Sequence, residues 1–365
     1  MESKRIIYLD NAATARVDER VIKEMNKMHN LEYGNPSSSH EIGEKALEIV
    51  NKARNELAKE IGAKAWEIIF TSGSTESNNM AFFGLARGEL GKERKKVIIS
   101  AIEHSSIFAI CSALKEENFE IIEIPVNKEG LLDISRLEKE IDNNTLLVSI
   151  LYVNNEIGVI QDIARIGKIC REKGGYFHTD CAQSFGKLGI SAPEMKIDLL
   201  SAGAHKIGGP KGIGLLYIRE GIEISPLIYG GSQERGLRGG TENTAGIVGF
   251  AKALELSKNI DKNKIKAIRD YFISGLEKLD GKINGSKEKR IYNNVNVNFN
   301  NLNGESAVLA LSSKGIMCST GSACESRKKI EGKVLKSLGL NKKEILGSLR
   351  FSLSPDIQKK DIEIV

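Results

Sequence analysis

Two segments of the chain place an amine and a carboxylate where a pyridine-based cofactor would need them. The apolar run Ile197-Asp198-Leu199-Leu200 leads into Gly203-Ala204-His205-Lys206-Ile207-Gly208-Gly209, a small-residue loop that presents one lysine. Just upstream, the strand-like run Tyr176-Phe177-His178-Thr179 ends on Asp180. A lysine able to form a Schiff base and an aspartate able to hold a pyridine nitrogen protonated are what pyridoxal phosphate (PLP) demands of a protein. The small residues around Lys206 allow close approach of backbone to a ligand. Such a lysine also needs a depressed pKa, which partial burial and a nearby cation would supply. Singly, each residue is ambiguous: Lys206 is one of 53 lysines and arginines, and Asp180 could equally cap a helix.

Further residues extend this chemistry. Thr71-Ser72-Gly73-Ser74-Thr75-Glu76 follows the strand-like Ile68-Ile69-Phe70 and precedes a helix-like segment. A Gly/Ser/Thr turn at a helix N-terminus offers N–H donors, hydroxyls and a positive dipole end to an anion. The alternative is a plain capping box on Ser72 or Ser74. Neither GxGxxG nor GxxxxGK[ST] is present, so the usual nucleotide readings lose. Gln183 carries an amide able to bond a phenolate oxygen. His104, at the end of a strand-like run, is suited to stacking on a flat cofactor or moving protons, or is a plain surface histidine. Arg350 alternates with Leu349 and Phe351 on a strand, where it could clamp a carboxylate through two parallel hydrogen bonds or serve as a salt-bridge partner. Cys324 follows the small residues Gly321-Ser322-Ala323 and precedes Arg327-Lys328-Lys329, whose charge would favour its thiolate.

These residues need a scaffold, and the apolar patterning supplies one. Apolar runs at 68–70, 97–100, 121–126, 146–153, 176–178, 198–200 and 213–218 read as strands. Helical spacing is seen at 41–61, and helix-like segments at 75–87, 105–118, 133–141 and 162–173 follow most of the strands. That alternation predicts an α/β domain with a mostly parallel seven-stranded sheet covered by helices on both faces, its ligands at the carboxyl ends of the strands. A further helix is expected at 244–256, and the charge-rich Lys258–Lys264 marks a boundary. Beyond it, helices at 265–279 and 304–313 and alternating strands at Val295-Val297-Phe299 and Leu349-Phe351-Leu353 describe a smaller α+β unit. The dense asparagines from 293 to 303 are expected on the solvent face of their strand and turn. A helix is expected after Pro355.

The chain has 365 residues, 41% of them apolar and 28% charged, too long for one small core. The net charge of +5 is spread along the chain, which gives no argument for nucleic acid. No apolar run reaches the length of a membrane span, and the start of the chain lacks a signal-peptide pattern. Five cysteines with no CxxC pair argue against a disulfide framework and a zinc knuckle, and for a reducing compartment such as the cytoplasm. No metal site is expected.

Together these segments resemble the cysteine desulfurases of the class V aminotransferase family, in the group whose active loop reads SxGSAC. The likeness runs from Tyr8-Leu9-Asp10-Asn11-Ala12-Ala13-Thr14 through Thr71–Asn79, Glu103-His104, Val153–Gly158, His178–Ser184, Ala204-His205-Lys206, Arg238–Asn243 and Ser322-Ala323-Cys324 to Arg350-Phe351-Ser352. The resemblance implies PLP fold-type I architecture and a homodimer, with a large domain at 15–258 and a small one formed by 1–14 and 259–365. It implies that Lys206 holds PLP, Asp180 pairs with the ring nitrogen, Gln183 with the phenolate oxygen, and His104 stacks on the ring. Ser74, Thr75 and His205 would bind the phosphate, with Thr241 reaching across from the other subunit. Asn155, Arg350, Asn11 and Ala12 would form the substrate site for L-cysteine. Lys206, His104 and Cys324 would be catalytic: Cys324 would take the substrate sulfur as a persulfide, release alanine, and pass the sulfur to an acceptor protein.

The chain departs from the family pattern at three places. Gly203 stands where the family often has a phosphate-binding serine, so one hydroxyl contact is expected to be lost. Residues 325–333 differ from the family's usual run, and relatives extend beyond the position of Val365. Two other functions compete: a related PLP lyase or aminotransferase acting on another amino acid such as selenocysteine, and a catalytically idle binding protein. Cys324 speaks against an ordinary aminotransferase, and the presence of Lys206, Asp180 and Cys324 speaks against the idle reading.

Overall fold

The computed structural model describes residues 6–321 and 332–365. Its centre is a seven-stranded sheet in the order Ile68–Thr71, Gly214–Ile218, Leu199–Gly203, Tyr176–Asp180, Thr145–Ser149, Lys96–Ser100, Glu120–Ile124. Only Gly214–Ile218 runs against its neighbours; the other neighbouring pairs are parallel. Apart from the edge strand Glu120–Ile124, the strands are buried at nearly every position because both faces of the sheet are covered. Side-chain alternation sorts them into two cores. Ile98, Val148, Phe177, Leu200 and Leu215 pack with Val50, Leu57, Phe250 and Leu254 of helices Glu41–Glu60 and Thr244–Ser257. Val97, Ile99, Leu147, Leu199 and Leu216 pack with Met80, Phe82, Leu85, Ile110 and Leu114 of helices Ser74–Ala86 and Ser105–Glu116.

A third cluster joins the two ends of the chain. Ile7 and Leu9 pack with Ile268, Phe272, Val295, Val297, Leu349 and Phe351. The strands Asn294–Asn298 and Ser348–Ser352 are antiparallel, with Val295 opposite Phe351 and Val297 opposite Leu349. Asn296 lies opposite Arg350 on the other face. The asparagines of this strand are not on a solvent face: Asn294, Asn296 and Asn298 are all buried. Their amides knit segments together. Asn294 and Asn296 both donate to the Glu156 carbonyl, and Asn298 donates to Asn284 Oδ1 at 2.6 Å. The burial works because almost every polar atom finds a partner. After Pro355 the expected helix is reduced to the four residues Lys359–Ile362. The Lys258–Lys264 stretch is only half a connector, since a helix starts at Lys262, capped by Asp261.

The loop from 219 to 243 is anchored by a buried ion pair. Glu234 accepts two bonds from Arg54, both at 2.7 Å, and one from the Phe70 amide at 2.9 Å. Its backbone is in the left-handed region, φ 45°, as is that of Arg235 at 59°. Such a conformation is costly for side chains other than glycine and persists where contacts over-determine it. Here the Arg54 fork does so.

Candidate active site

Five loops leave the sheet on one side, at the carboxyl ends of its parallel strands. After Ile68–Thr71 comes the Ser72–Thr75 turn, after Lys96–Ser100 come Glu103 and His104, and after Thr145–Ser149 comes Asn155. Asp180 ends its own strand, and Lys206 follows Leu199–Gly203 on a single 3-10 turn, Ala204–Lys206. They surround a cavity of about 520 Å³, whose wall includes Ser74, Thr75, His104, Asn155, Asp180, Gln183, His205 and Lys206. Eight of the residues singled out in the sequence thus meet in one space.

One pole of this cavity suits an anion. The helix Ser74–Ala86 opens on Gly73, φ 155°, with no side-chain cap. Neither serine caps it: no side chain accepts from the first helical amides, and Glu76 Oε2 accepts the Ser72 amide at 2.9 Å. Ser74 Oγ is buried and has no hydrogen-bond partner among the described residues. A Cβ at Gly203 would come within 2.8 Å of that oxygen. The Ser74 hydroxyl therefore stands beside the space that a side chain at 203 would need. His205 sits alongside, its Nδ1 3.2 Å from Thr14 Oγ1. Burial and the neighbouring charges of Lys206, Lys211 and Lys187 push its ring down to about 4.

The cavity wall also carries an acid. Asp180, buried, accepts from Asn78 Nδ2 and the Ala182 amide, both at 2.8 Å. On the same wall, Lys206 Nζ donates to the Ala12 carbonyl at 2.5 Å, and Gln183 Nε2 donates to the same oxygen at 2.9 Å. Ala12 thus acts through its backbone, and Ser352 Oγ holds that segment by accepting the Ala12 amide at 2.7 Å. Four residues beyond Gln183 lies a second buried lysine that the sequence did not single out. Lys187 Nζ contacts Gln183 Oε1 at 3.4 Å, and burial, aided by the charge of Lys206, brings it down to about 7. Lys187 and Lys206 also face a second cavity of about 580 Å³, on the side of Asn11 and Arg16.

Besides Ala12, three predicted site residues stand outside the lining of the first cavity. Arg350 is fully buried; it pairs with Asp10 at 2.7 Å, donates to the Asn155 carbonyl at 3.1 Å, and its Nε has no hydrogen-bond partner among the described residues. Asn11 is buried, donating to the Ser352 carbonyl at 3.0 Å. Thr241 is exposed on the 219–243 loop. Cys324 lies outside the described residues.

Glu103, next to His104, is a buried acid with its own consequence. Its Oε1 accepts from Ser100 Oγ at 2.7 Å and from the Leu151 amide at 2.9 Å, while Oε2 has no partner among the described residues. Burial, with a smaller contribution from Asp180, pushes this carboxyl up to about 8 from 4.5. Between these values the folded chain holds a proton that the unfolded chain has released, so this group lowers stability as pH rises through that window. Glu103→Gln, a neutral isostere, is expected to flatten the fall of Tm between about pH 5 and 8. Thermal melts across that range check it; an unchanged slope would mean that Glu103 is ionised in the fold.

The full-length comparisons agree with this geometry. The family model "Aminotransferase class-V" matches residues 7–365. The chain belongs to the class V aminotransferase family. Among its relatives, it is 44% identical to the cysteine desulfurase IscS of Dictyoglomus turgidum over 364 residues, 98% of this chain and 92% of that one. It is 43% identical to the cysteine desulfurase IscS of Methanosarcina thermophila over 365 residues, 99% and 90% of the two chains. Among solved structures, a NifS-like protein aligns with a TM-score of 0.93 at 36% identity, covering 99% of this chain and 97% of the other. SspA, solved in complex with cysteine, aligns with a TM-score of 0.86 at 36% identity, covering 96% and 99%.

Proposed function

We propose that this protein is a PLP-dependent cysteine desulfurase, which moves the sulfur of L-cysteine onto Cys324 and releases L-alanine. The observation that carries this reading is one cavity lined by Lys206, by the Asp180 carboxylate and by the helix-opening turn at Ser74. The space suits a small cofactor, since ligand cavities commonly span about 300–1,000 Å³. The Ser74 hydroxyl, without a partner among the described residues, and the uncapped helix start fit a phosphate, and the buried Asp180 on the same wall fits a pyridinium nitrogen. Likeness over nearly the whole chain to cysteine desulfurases, and to a homologue solved with cysteine, supports the substrate.

When bound, PLP supplies an electron sink for bonds broken at the amino-acid α carbon. The chain's own residues do the rest. Ser74, Thr75 and His205 hold the phosphate, with Thr241 of the partner subunit in a homodimer. Asp180 keeps the ring nitrogen protonated, Gln183 turns its amide N–H toward the ring oxygen, and His104 covers the ring. Asn155 and Arg350 orient the substrate carboxylate, with the Asn11-Ala12 segment forming the wall behind. Lys206 removes the α proton. The Cys324 thiolate attacks the substrate sulfur, so that the new S–S bond forms as the C–S bond breaks, leaving a persulfide and alanine. A separate acceptor protein, in the cytoplasm, then takes the sulfur for iron–sulfur cluster assembly or tRNA thiolation. The two-part architecture serves this chemistry if residues 15–258 hold the cofactor while 1–14 and 259–365 carry the cysteine loop.

Among the described residues, no helix is long and apolar enough to cross a membrane. The test is turnover by the purified, PLP-loaded protein. L-cysteine with a thiol reductant should give alanine and sulfide in equal amounts. A loaded protein that yields neither would overturn the reading.

A further inference from the structure

Between the Asp180 carboxylate and the His104 ring runs a short hydrogen-bonded path that the catalytic assignment does not use. Asn78, fully buried on the helix Ser74–Ala86, donates from Nδ2 to Asp180 Oδ2 at 2.8 Å and to Ser106 Oγ at 3.2 Å. Ser106 Oγ lies 2.8 Å from His104 Nδ1, and the Ser106 backbone N–H donates to the same nitrogen at 3.2 Å. The donor at each link is fixed by chemistry. A carboxylate only accepts, so the Asn78 amide nitrogen must face Asp180. A backbone N–H only donates, so His104 Nδ1 accepts and carries no proton. Ser106 Oγ takes one N–H of Asn78 and has its own hydrogen left for Nδ1.

The single proton of a neutral imidazole is then on Nε2. Burial, followed by the charge of Lys206, lowers the ring's affinity for a second proton, against the pull of Asp180. Those are the charged groups acting on it: Asp180 from the end of its strand and Lys206 from the turn after Leu199–Gly203. Glu103 precedes it in the chain.

We propose that Asn78 and Ser106 are positioning residues that tie His104 to Asp180 and hold its ring as the Nε2–H tautomer, so that His104 offers the cavity a hydrogen-bond donor rather than a base. The functional meaning rests on the PLP reading, but the relay belongs to the chain alone. Proton removal in the site then falls to Lys206. His104 suits an anionic partner, such as a substrate sulfur carrying negative charge.

The test is nitrogen NMR of the full chain labelled on histidine, as isolated and again after the cofactor is removed. The chain has five histidines, and the signal that vanishes in His104→Gln is assigned to His104. Wild type should show a protonated Nε2 and a bare Nδ1 in both forms; a protonated Nδ1 in either overturns the proposal. Ser106→Ala removes a bond that favours the neutral ring, so the protonation midpoint of His104 should rise by about half a unit to one unit. Ser106→Thr should restore it. Asn78→Ala should shrink the effect of Ser106→Ala, because a serine without its incoming bond is free to rotate away. Strictly additive effects would remove Asn78 from the relay, and an unmoved midpoint in Ser106→Ala would remove Ser106. Because the cofactor-free readout needs no turnover, failure of the relay and failure of the desulfurase reading give different results.

Discussion

Lys206→Ala abolishes both the visible absorption band of the lysine-bound cofactor and turnover of L-cysteine. The amine is placed by a single 3-10 turn at the end of a buried strand, and its position is fixed by the Ala12 carbonyl at 2.5 Å. Removing a positioned proton-transfer group costs about 10²–10⁴-fold in rate. The loss of covalent attachment to the cofactor adds to that. Lys187 is the obvious substitute, being buried nearby with its amine brought down to about 7. It does not rescue, because its amine lies behind Gln183 and does not face the cavity that holds Asp180 and Ser74. Lys206→Arg separates charge from nucleophilicity: it keeps the cation and loses the reactive amine, so it is expected to be as inactive as Lys206→Ala. Absorption spectra and alanine formation measured on both variants check this. Turnover within tenfold of wild type in either would show that Lys206 is not the reacting amine.

Most of the scaffold is visible in the order of residues, because its physics is local. The seven apolar runs read from the sequence become the seven strands of the sheet within a few residues, and Gly304–Ser313 is the helix expected at 304–313. Buried parallel strands carry unbroken apolar runs, and the helices between them carry the helical period. The asparagines of the strand itself, unlike the exposed Asn300, Asn301 and Asn303 of its turn, depart from the expectation for the same reason. A polar residue alternating with valine ordinarily faces water. Here the polar face meets Glu156 and Asn284, which are more than a hundred and about ten residues away, and no local pattern announces that meeting.

The site divides along the same line. Lys206, Asp180, Gln183, His104 and the Ser72–Thr75 turn are legible because each sits at a strand end with small or polar neighbours, where such sheets bind ligands. Asn78, Ser106 and Lys187 are not. Asn78 stands among other polar residues at the start of its helix, a setting easily taken for a surface position, and its partners come from another strand end and another helix start. Lys187 follows Gln183 by four residues, a spacing that hints at contact but not at burial. Whether Ser72 or Ser74 caps the helix is likewise not legible in the sequence; the structure has Gly73 at the cap and no side-chain cap.

Cys324→Ala keeps the cofactor and its colour but loses sulfide release. Every residue assigned to hold PLP lies among the described residues, so the substitution leaves the cofactor's contacts in place. Sulfur transfer needs a thiolate, and the other four cysteines are poor candidates. Cys111, Cys170, Cys181 and Cys318 are all buried. Burial pushes the thiols of Cys111, Cys181 and Cys318 up to about 12, and that of Cys170 higher still, so almost none of each is ionised near neutral pH. Cys324 instead precedes Arg327-Lys328-Lys329, and cations near a thiol favour the thiolate. Loss of a nucleophile with no substitute is expected to lower sulfide release by roughly 10³-fold or more. Binding of L-cysteine, followed as a change in the cofactor's absorption, should persist, because Asn155 and Arg350 are untouched. Sulfide release at the wild-type rate would show that sulfur leaves the substrate directly, and the role of Cys324 would then be wrong even with Lys206 and the cofactor site correct.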